Sequence, residues 1–237
     1  MFISNSSAKD FLTGFKDDSI DLILTDPPYI ISKKSGFKSK GKKGVDRLMI
    51  STDFGDWDNI DISEHNKMLL DFFDLAYKKL RKGGTIIVWY DLWKLETLKN
   101  LMEKAGNGFK MIRFIEMLKK NPVPINSSVS YLSNAREAAI TAVKVGKPTF
   151  NSLYHNGVFD FPIHRDGGKR LHSTQKSLSL MKELIRIHSN EDDLVVDPFS
   201  GSGTTVLAAL QLGRKAAGCE LDKEMCVIAN TRIKELT

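Results

Sequence analysis

Strand-length apolar runs alternating with helical repeats constrain this chain more than any other feature of its sequence. The alternation is plainest in the C-terminal third. There the order is a helix over 176–189, a strand from Asp193 to Asp197, a helix over 204–213, a strand from Lys215 to Glu220 and a last helix from Asp222. Parallel neighbours in a sheet need a long crossover, usually helical, so this order predicts a mostly parallel sheet covered by helices. The same grammar appears earlier. Ile20–Thr25 reads as the first clear strand, and Leu69, Phe72, Phe73, Ala76 and Leu80 then share one helical face. Asp61 with Glu64 is the expected cap of that helix and Gly83-Gly84 its expected end. Thr85–Trp89 reads as a buried strand. Asp91 opens a further helix carrying Leu92, Leu95, Leu98 and Met102 on one face, closed by Gly106.

Two stretches escape this regularity, 30–56 and about 119–171, although 109–118 and 136–145 read as strands. Structureless stretches of such length in a compact domain usually carry function. The first is basic: Lys33, Lys34, Lys38, Lys40, Lys42, Lys43 and Arg47 face the single acid Asp46. The whole chain carries a formal charge of +6, which suits a nucleic-acid partner. With 237 residues, no repeat and no Pro-, Gly- or Ser-rich linker, the expectation is one domain over 1–237. Hydrophobic residues at 41% and charged residues at 27% exclude general disorder. No apolar run is long enough for a membrane helix, and the N-terminus lacks the pattern of a secretory signal, so a cytoplasmic protein without a membrane partner is expected. Cys219 and Cys226 make neither a disulfide framework nor a metal site, and the five histidines fall in no ligand spacing, so no metal is expected.

Strand 193–197 runs into Asp197-Pro198-Phe199-Ser200-Gly201-Ser202-Gly203-Thr204-Thr205 and then a helix. Glycines at such a turn let the backbone approach a ligand and bring helix N–H groups beside it. The next strand ends in Glu220, where an acid can hold a ribose diol. A P-loop is excluded because its lysine is missing, and a dinucleotide fingerprint is broken by Val206 at its third glycine. A mononucleoside ligand such as S-adenosylmethionine fits what is left.

The first strand ends in Asp26-Pro27-Pro28-Tyr29. An exocyclic base amine is a poor nucleophile because its lone pair is delocalised into the ring. A carboxylate from Asp26 and the carbonyl of Pro27, accepting its two N–H bonds, would localise that pair. Tyr29 offers a flat face for a base rotated out of the duplex. A third element, His172-Ser173-Thr174-Gln175-Lys176-Ser177, precedes an amphipathic helix and is a plausible second wall of the ligand pocket.

Together these elements resemble the β class of DNA amino-methyltransferases, in which Asp-Pro-Pro-Tyr precedes the cofactor glycines, a circular permutation of the more common motif order. The likeness extends through Ser19–Tyr29, Phe54-Gly55-Asp56-Trp57-Asp58, Lys120-Asn121-Pro122-Val123-Pro124, His172–Lys176 and Asp197–Thr205. It implies the seven-stranded, Rossmann-like sheet of class I S-adenosylmethionine-dependent methyltransferases with an inserted target-recognition region. It further implies that Asp197, Phe199, Ser200, Gly201, Ser202, Gly203, Thr204 and Thr205 line the methionine end of the cofactor. Glu220 would hold the ribose, and His172, Thr174, Gln175 and Lys176 would close the pocket. Asp26, Pro27, Pro28 and Tyr29 would be catalytic. Loop 30–56 would contact DNA phosphates and 119–171 would read bases, with Lys119, Lys120, Asn121 and Arg136 as candidate contacts.

The implied reaction is N6-adenine methylation of double-stranded DNA by direct transfer, leaving S-adenosylhomocysteine. Cytosine-N4 methylation shares the chemistry and stays open, as does an inactive DNA-binding regulator, which intact Asp26, Tyr29 and glycines disfavour. The sequence leaves open a homodimer and a companion restriction endonuclease. C5-cytosine chemistry needs a nucleophilic cysteine, and neither Cys219 nor Cys226 sits in a catalytic turn. Where the family has Gly-Asp before its first helix, this chain has Ser6-Ser7; Ser173 and Ser177 replace the prolines of the His172 segment.

Overall fold

The computed structural model describes residues 2–28, 62–120, 134–162 and 176–237, with residues 122 and 132. Its strands are β1 (Ile3–Asn5), β2 (Ile20–Thr25), β3 (Leu80–Tyr90), β4 (Lys110–Lys119), β5 (Arg136–Val143), β6 (Val158–Phe161), β7 (Leu194–Asp197) and β8 (Lys215–Glu220). Its helices are α1 (Ala8–Thr13), α2 (Ile62–Lys79), α3 (Leu95–Lys104), α4 (Leu178–His188), α5 (Thr204–Leu210) and α6 (Lys223–Leu236). All eight strands form one sheet in the order β1-β8-β7-β2-β3-β5-β4-β6. The five strands from β1 to β3 are mutually parallel, β5 is antiparallel to β3 and β4, and β6 lies parallel to β4.

Successive side chains of the central strands go to opposite faces. Ile23, Ile86, Val88, Tyr90 and Val196 enter the core beneath α1, α2 and α3, while Leu22, Leu24, Ile87, Trp89 and Val195 enter the one beneath α4 and α5. Strands buried on both faces read as continuous apolar runs, which is why β2, β3 and β7 are visible in the sequence. A third cluster, Ile3, Val206, Leu207, Ala229 and Ile233, fastens α6 and β1 to α5.

The sheet differs from expectation in four places. It has eight strands among the described residues, because β6 extends the edge beyond β4. The three-residue β1 and the short α1 were not anticipated, although Ser7 caps α1 by accepting from the Asp10 N–H at 3.1 Å. Helix α2 ends at Lys79 and not at Gly83-Gly84. Ile20 pairs with Leu80 but Leu22 with Thr85, so residues 81–84 bulge out of β3. Gly83 takes φ 75° there, and a Cβ on it would lie 2.1 Å from the Lys147 carbonyl oxygen. The glycines thus serve a bulge pressed against another loop. Finally, Asp91 caps a short 3-10 turn, Leu92–Lys94, before α3, and leaves Leu92 exposed while Leu98 and Met102 are buried.

Candidate active site

The crossover from β2 to β3 proceeds to one side of the sheet and that from β7 to β8 to the other, so the winding reverses between β7 and β2. Crevices at such reversals, outside the C-terminal strand ends, are where open α/β sheets bind ligands. Here the ends are Asp26-Pro27-Pro28 after β2, Asp197 at the end of β7 and Glu220 at the end of β8. They open onto a cleft of about 1310 Å³. Thr25 ties two of these ends together across 172 residues of sequence, its Oγ1 donating to Asp197 Oδ1 at 2.7 Å.

The turn after β7 is built around Asp197. The Phe199 N–H donates to its Oδ1 at 3.1 Å, and Ser200 Oγ donates to its carbonyl at 2.8 Å. Burial pushes the Asp197 carboxyl up to about 6, against the opposing pull of Thr25, Thr205 and the Phe199 N–H. Gly201 has φ 48°, and a Cβ there would meet nothing within 4 Å, so that side of the turn is open. Gly203 is different. Its φ is 76°, and a Cβ would fall 2.9 Å from Ile3 Cδ1, so this glycine lets α5 start against β1 and α6. Glu220 is fixed by Gly201 N–H to Oε2 and Asp222 N–H to Oε1, both at 2.9 Å. Arg232 of α6 donates from Nη1 to the Ser202 carbonyl at 2.8 Å and Thr204 Oγ1 at 2.9 Å. Phe72 meets Phe199 edge-on at 5.3 Å and supplies an apolar wall.

Asp26 stands at the head of a chain of alternating charges. Lys176 Nζ lies 2.7 Å from Asp26 Oδ2 and 3.1 Å from Glu137 Oε2, and Lys119 Nζ lies 2.8 Å from Glu137 Oε1. The Lys176 ammonium also lies 5.4 Å from the Trp89 ring centroid. Burial would raise the Glu137 carboxyl, but the Lys176 and Lys119 ammonium groups outweigh it and hold it at about 2. On the α2 side of the cleft, His65 Nε2 and Tyr90 Oη are 3.0 Å apart. Burial lowers the His65 pKa and lifts the Tyr90 hydroxyl to about 12.

Of the residues singled out from sequence, Asp26, Pro27, Pro28, Asp197, Phe199, Ser200, Gly201, Ser202, Thr204, Thr205, Glu220 and Lys176 all line this one cleft. Lys176, expected beside the cofactor, has its ammonium on Asp26. Ser6 and Ser7 also line the cleft, where the family's Gly-Asp would stand. Lys119 is drawn into Glu137, Lys120 lies 3.4 Å from Asp160, and Arg136 lies 2.6 Å from Glu116. Tyr29, the Lys33–Arg47 segment, Asn121, His172, Thr174 and Gln175 lie outside the described residues, as does Asp61. Sequence reasoning missed Thr25, His65, Trp89 and Glu137; the one available signal was an acid heading the apolar run Ala138-Ala139-Ile140. Both cysteines are buried, and burial lifts the Cys219 thiol to about 12, which disables it as a nucleophile. No cluster of metal-ligating side chains occurs among the described residues.

Comparison with known proteins agrees with this geometry. M2.DpnII of Streptococcus pneumoniae, a Type II methyltransferase, is 30% identical, with 99% of this chain and 90% of that protein aligned. M2.MboI of Moraxella bovis, another, is 30% identical over 96% of this chain and 85% of its own length. Among solved structures, the complex of M1.HpyAVI with SAM superposes with a TM-score of 0.72 at 27% identity, covering 98% of both chains. The cytosine-N4-specific PvuII DNA methyltransferase superposes at 0.73 over 99% of this chain and 92% of its own, and at 18% identity this likeness concerns the fold alone. The family profile described as DNA methylase, N6_N4_Mtase, matches residues 20–231, and the chain belongs to that family.

Proposed function

We propose that this chain transfers a methyl group from S-adenosylmethionine to the exocyclic N6 of adenine in double-stranded DNA, acting on a base turned out of the duplex. The observation that carries the reading is the convergence of Asp26 with the Asp197 turn and Glu220 on one cleft, locked by the Thr25–Asp197 hydrogen bond. An acceptor amine held at Asp26 and a donor held along the turn would then meet across adjacent strand ends.

The residues present fit S-adenosylmethionine. The open side of Gly201 admits a ligand against the backbone, Glu220 is braced at the right strand end for a ribose diol, and Phe72 with Phe199 forms an apolar wall. Asp197, Ser200, Ser202, Thr204 and Thr205 would form the methionine end, with Gly203 facing Ile3 and α6 behind them, and His172, Thr174 and Gln175 would close the opposite side. Bound there, the cofactor supplies a methyl group on a sulfonium, open to direct displacement without a covalent enzyme intermediate.

The chain's own contribution is positioning. Asp26 and the Pro27 carbonyl accept the two amine N–H bonds and localise the nitrogen lone pair, and Tyr29 stacks on the base. Prealigned reactants and oriented dipoles account for the largest rate effects in such sites. Basic side chains at Lys33, Lys34, Lys38, Lys40, Lys42, Lys43 and Arg47 would neutralise phosphates, and target recognition would fall to the parts of 119–171 outside β5, whose Ala138, Ala139, Ile140 and Ala142 are buried in the sheet. Lys120 and Arg136 are more than half exposed in their ion pairs, and surface pairs of that kind are weak enough to exchange for a phosphate. The kinship to Type II methyltransferases supports a place beside a restriction endonuclease in the cytoplasm.

Adenine is favoured over cytosine by Asp26, since adenine enzymes of this class usually carry Asp at the first position of the tetrad and cytosine-N4 enzymes Ser. DNA from a methylation-free host expressing the protein, digested to nucleosides and weighed by mass spectrometry, should contain N6-methyladenine. A peak only at N4-methylcytosine refutes the adenine assignment, and no modified base refutes the enzyme reading in favour of a binding protein.

A further inference from the structure

Behind Asp26 runs a chain of charges that amine binding and methyl donation do not by themselves require. Asp26, Lys176, Glu137 and Lys119 alternate in sign with successive N–O separations of 2.7, 3.1 and 2.8 Å. They come from four places: the turn after β2, the lead-in to α4, the head of β5 and the end of β4. Side-chain exposures of 10% for Lys176 and 15% for Lys119 show that both ammonium groups have lost most of their water. Desolvating four charges is expensive, and well-packed apolar residues could fill the same space at no loss of stability. An arrangement of this kind has its clearest use in fixing geometry. Trp89, whose ring faces the Lys176 ammonium, limits where that group can move.

We propose that Glu137 is a positioning residue for methyl transfer: it holds the Lys176 ammonium against Oδ2 of Asp26, keeping the carboxylate in one orientation toward the incoming amine. This rests on the assignment of Asp26 as the acceptor of the base amine. A carboxylate offers about four lone-pair sites, so an ammonium on one oxygen is compatible with an amine N–H on the same group. Without Glu137, Lys176 would lose one of the two carboxylates that fix its ammonium, would turn more freely about Asp26, and would take that carboxylate with it. Lys119 neutralises Glu137 from behind, so the group of four carries no net charge. The Glu137 carboxylate lies beyond Lys176 from Asp26, and its effect on the reaction runs through that ammonium.

The test is a double-mutant cycle on the full chain with Glu137→Gln and Lys176→Met, measuring steady-state kinetics on methyl-free DNA and S-adenosylmethionine affinity by titration. Glu137→Gln should lower kcat by about tenfold or more, a misplacement of 1 Å being able to cost on the order of a hundredfold. Cofactor and DNA affinities should stay within about twofold, which separates positioning from binding. Adding Glu137→Gln to Lys176→Met should lower kcat by no more than a further factor of about two, since coupled residues are non-additive. Wild-type kcat in Glu137→Gln overturns the proposal, as do additive losses in the double variant. If Glu137→Gln does not fold, Glu137→Asp decides instead: reduced kcat with unchanged affinities supports the proposal and wild-type kcat overturns it. Asp26→Ala run alongside separates the two readings. Full activity in that variant removes the Asp26 assignment itself, whereas an inactive Asp26→Ala with a fully active Glu137→Gln removes only the positioning role.

Discussion

Replacing Asp197 by asparagine should make the protein more stable and a poorer binder of its cofactor. Burial raises the Asp197 carboxyl from 3.8 to about 6. Each unit is worth ~1.4 kcal/mol, so holding this group ionised inside the fold costs on the order of 3 kcal/mol at neutral pH. The sign follows from which state binds the proton. Below about pH 4 both folded and unfolded carboxyls are protonated and no penalty exists. Between about pH 4 and 6 the unfolded chain ionises first, so stability falls as pH rises, and above 6 the loss is complete. Asparagine keeps the shape, and its Oδ1 can still accept from Thr25 Oγ1 and the Phe199 N–H. The charge assistance of those bonds is already counted, because about 6 is what remains after they have pulled the carboxyl down. The gain at pH 8 is then on the order of 3 kcal/mol, a rise in Tm of roughly 6–12 °C for a chain of this size. Thermal and urea melts from pH 4 to 8 without cofactor should show the two proteins converging at the acid end. S-adenosylmethionine affinity, measured by titration, should fall by at least about tenfold if a charge-assisted bond to the ligand disappears. An asparagine variant less stable than wild type at pH 8 would show that the buried carboxylate is fully compensated and refute the reasoning.

Glu220→Ala should raise the cofactor KM by roughly tenfold or more while leaving kcat at saturating cofactor nearly intact, because charged hydrogen bonds are worth on the order of 1.5–3 kcal/mol each. An unchanged KM would leave Glu220 as a brace for the Gly201 and Asp222 N–H groups alone. Neutralising Lys38, Lys40, Lys42 and Lys43 together should weaken DNA binding without altering sequence preference, flattening the plot of log K against log salt by about 0.9 for each phosphate no longer neutralised. An unchanged slope would exclude the segment as a phosphate clamp.

What is local was legible in the residues alone. Continuous apolar runs marked β2, β3 and β7 because these central strands are buried on both faces, and Asp222 was legible as the start of the last helix because it caps α6, accepting from the Met225 N–H at 3.0 Å. The sequence also placed Asp26 and the glycine turn at strand ends, which is where the cleft opens. What depends on distant pairing emerged only once the strands were assembled. β1 is too short to show a period and exists because β8 offers it a parallel edge. Gly83-Gly84 carries a helix-stop signal, yet the register of β2 against β3 turns it into a bulge. The permuted motif order is harmless for the same reason: β2 and β7 are neighbours in the sheet, so Thr25 reaches Asp197 across 172 residues. No local pattern could announce that Lys176 and Glu137 meet at Asp26, because a charged side chain declares its partner only when the strands that carry it are laid side by side.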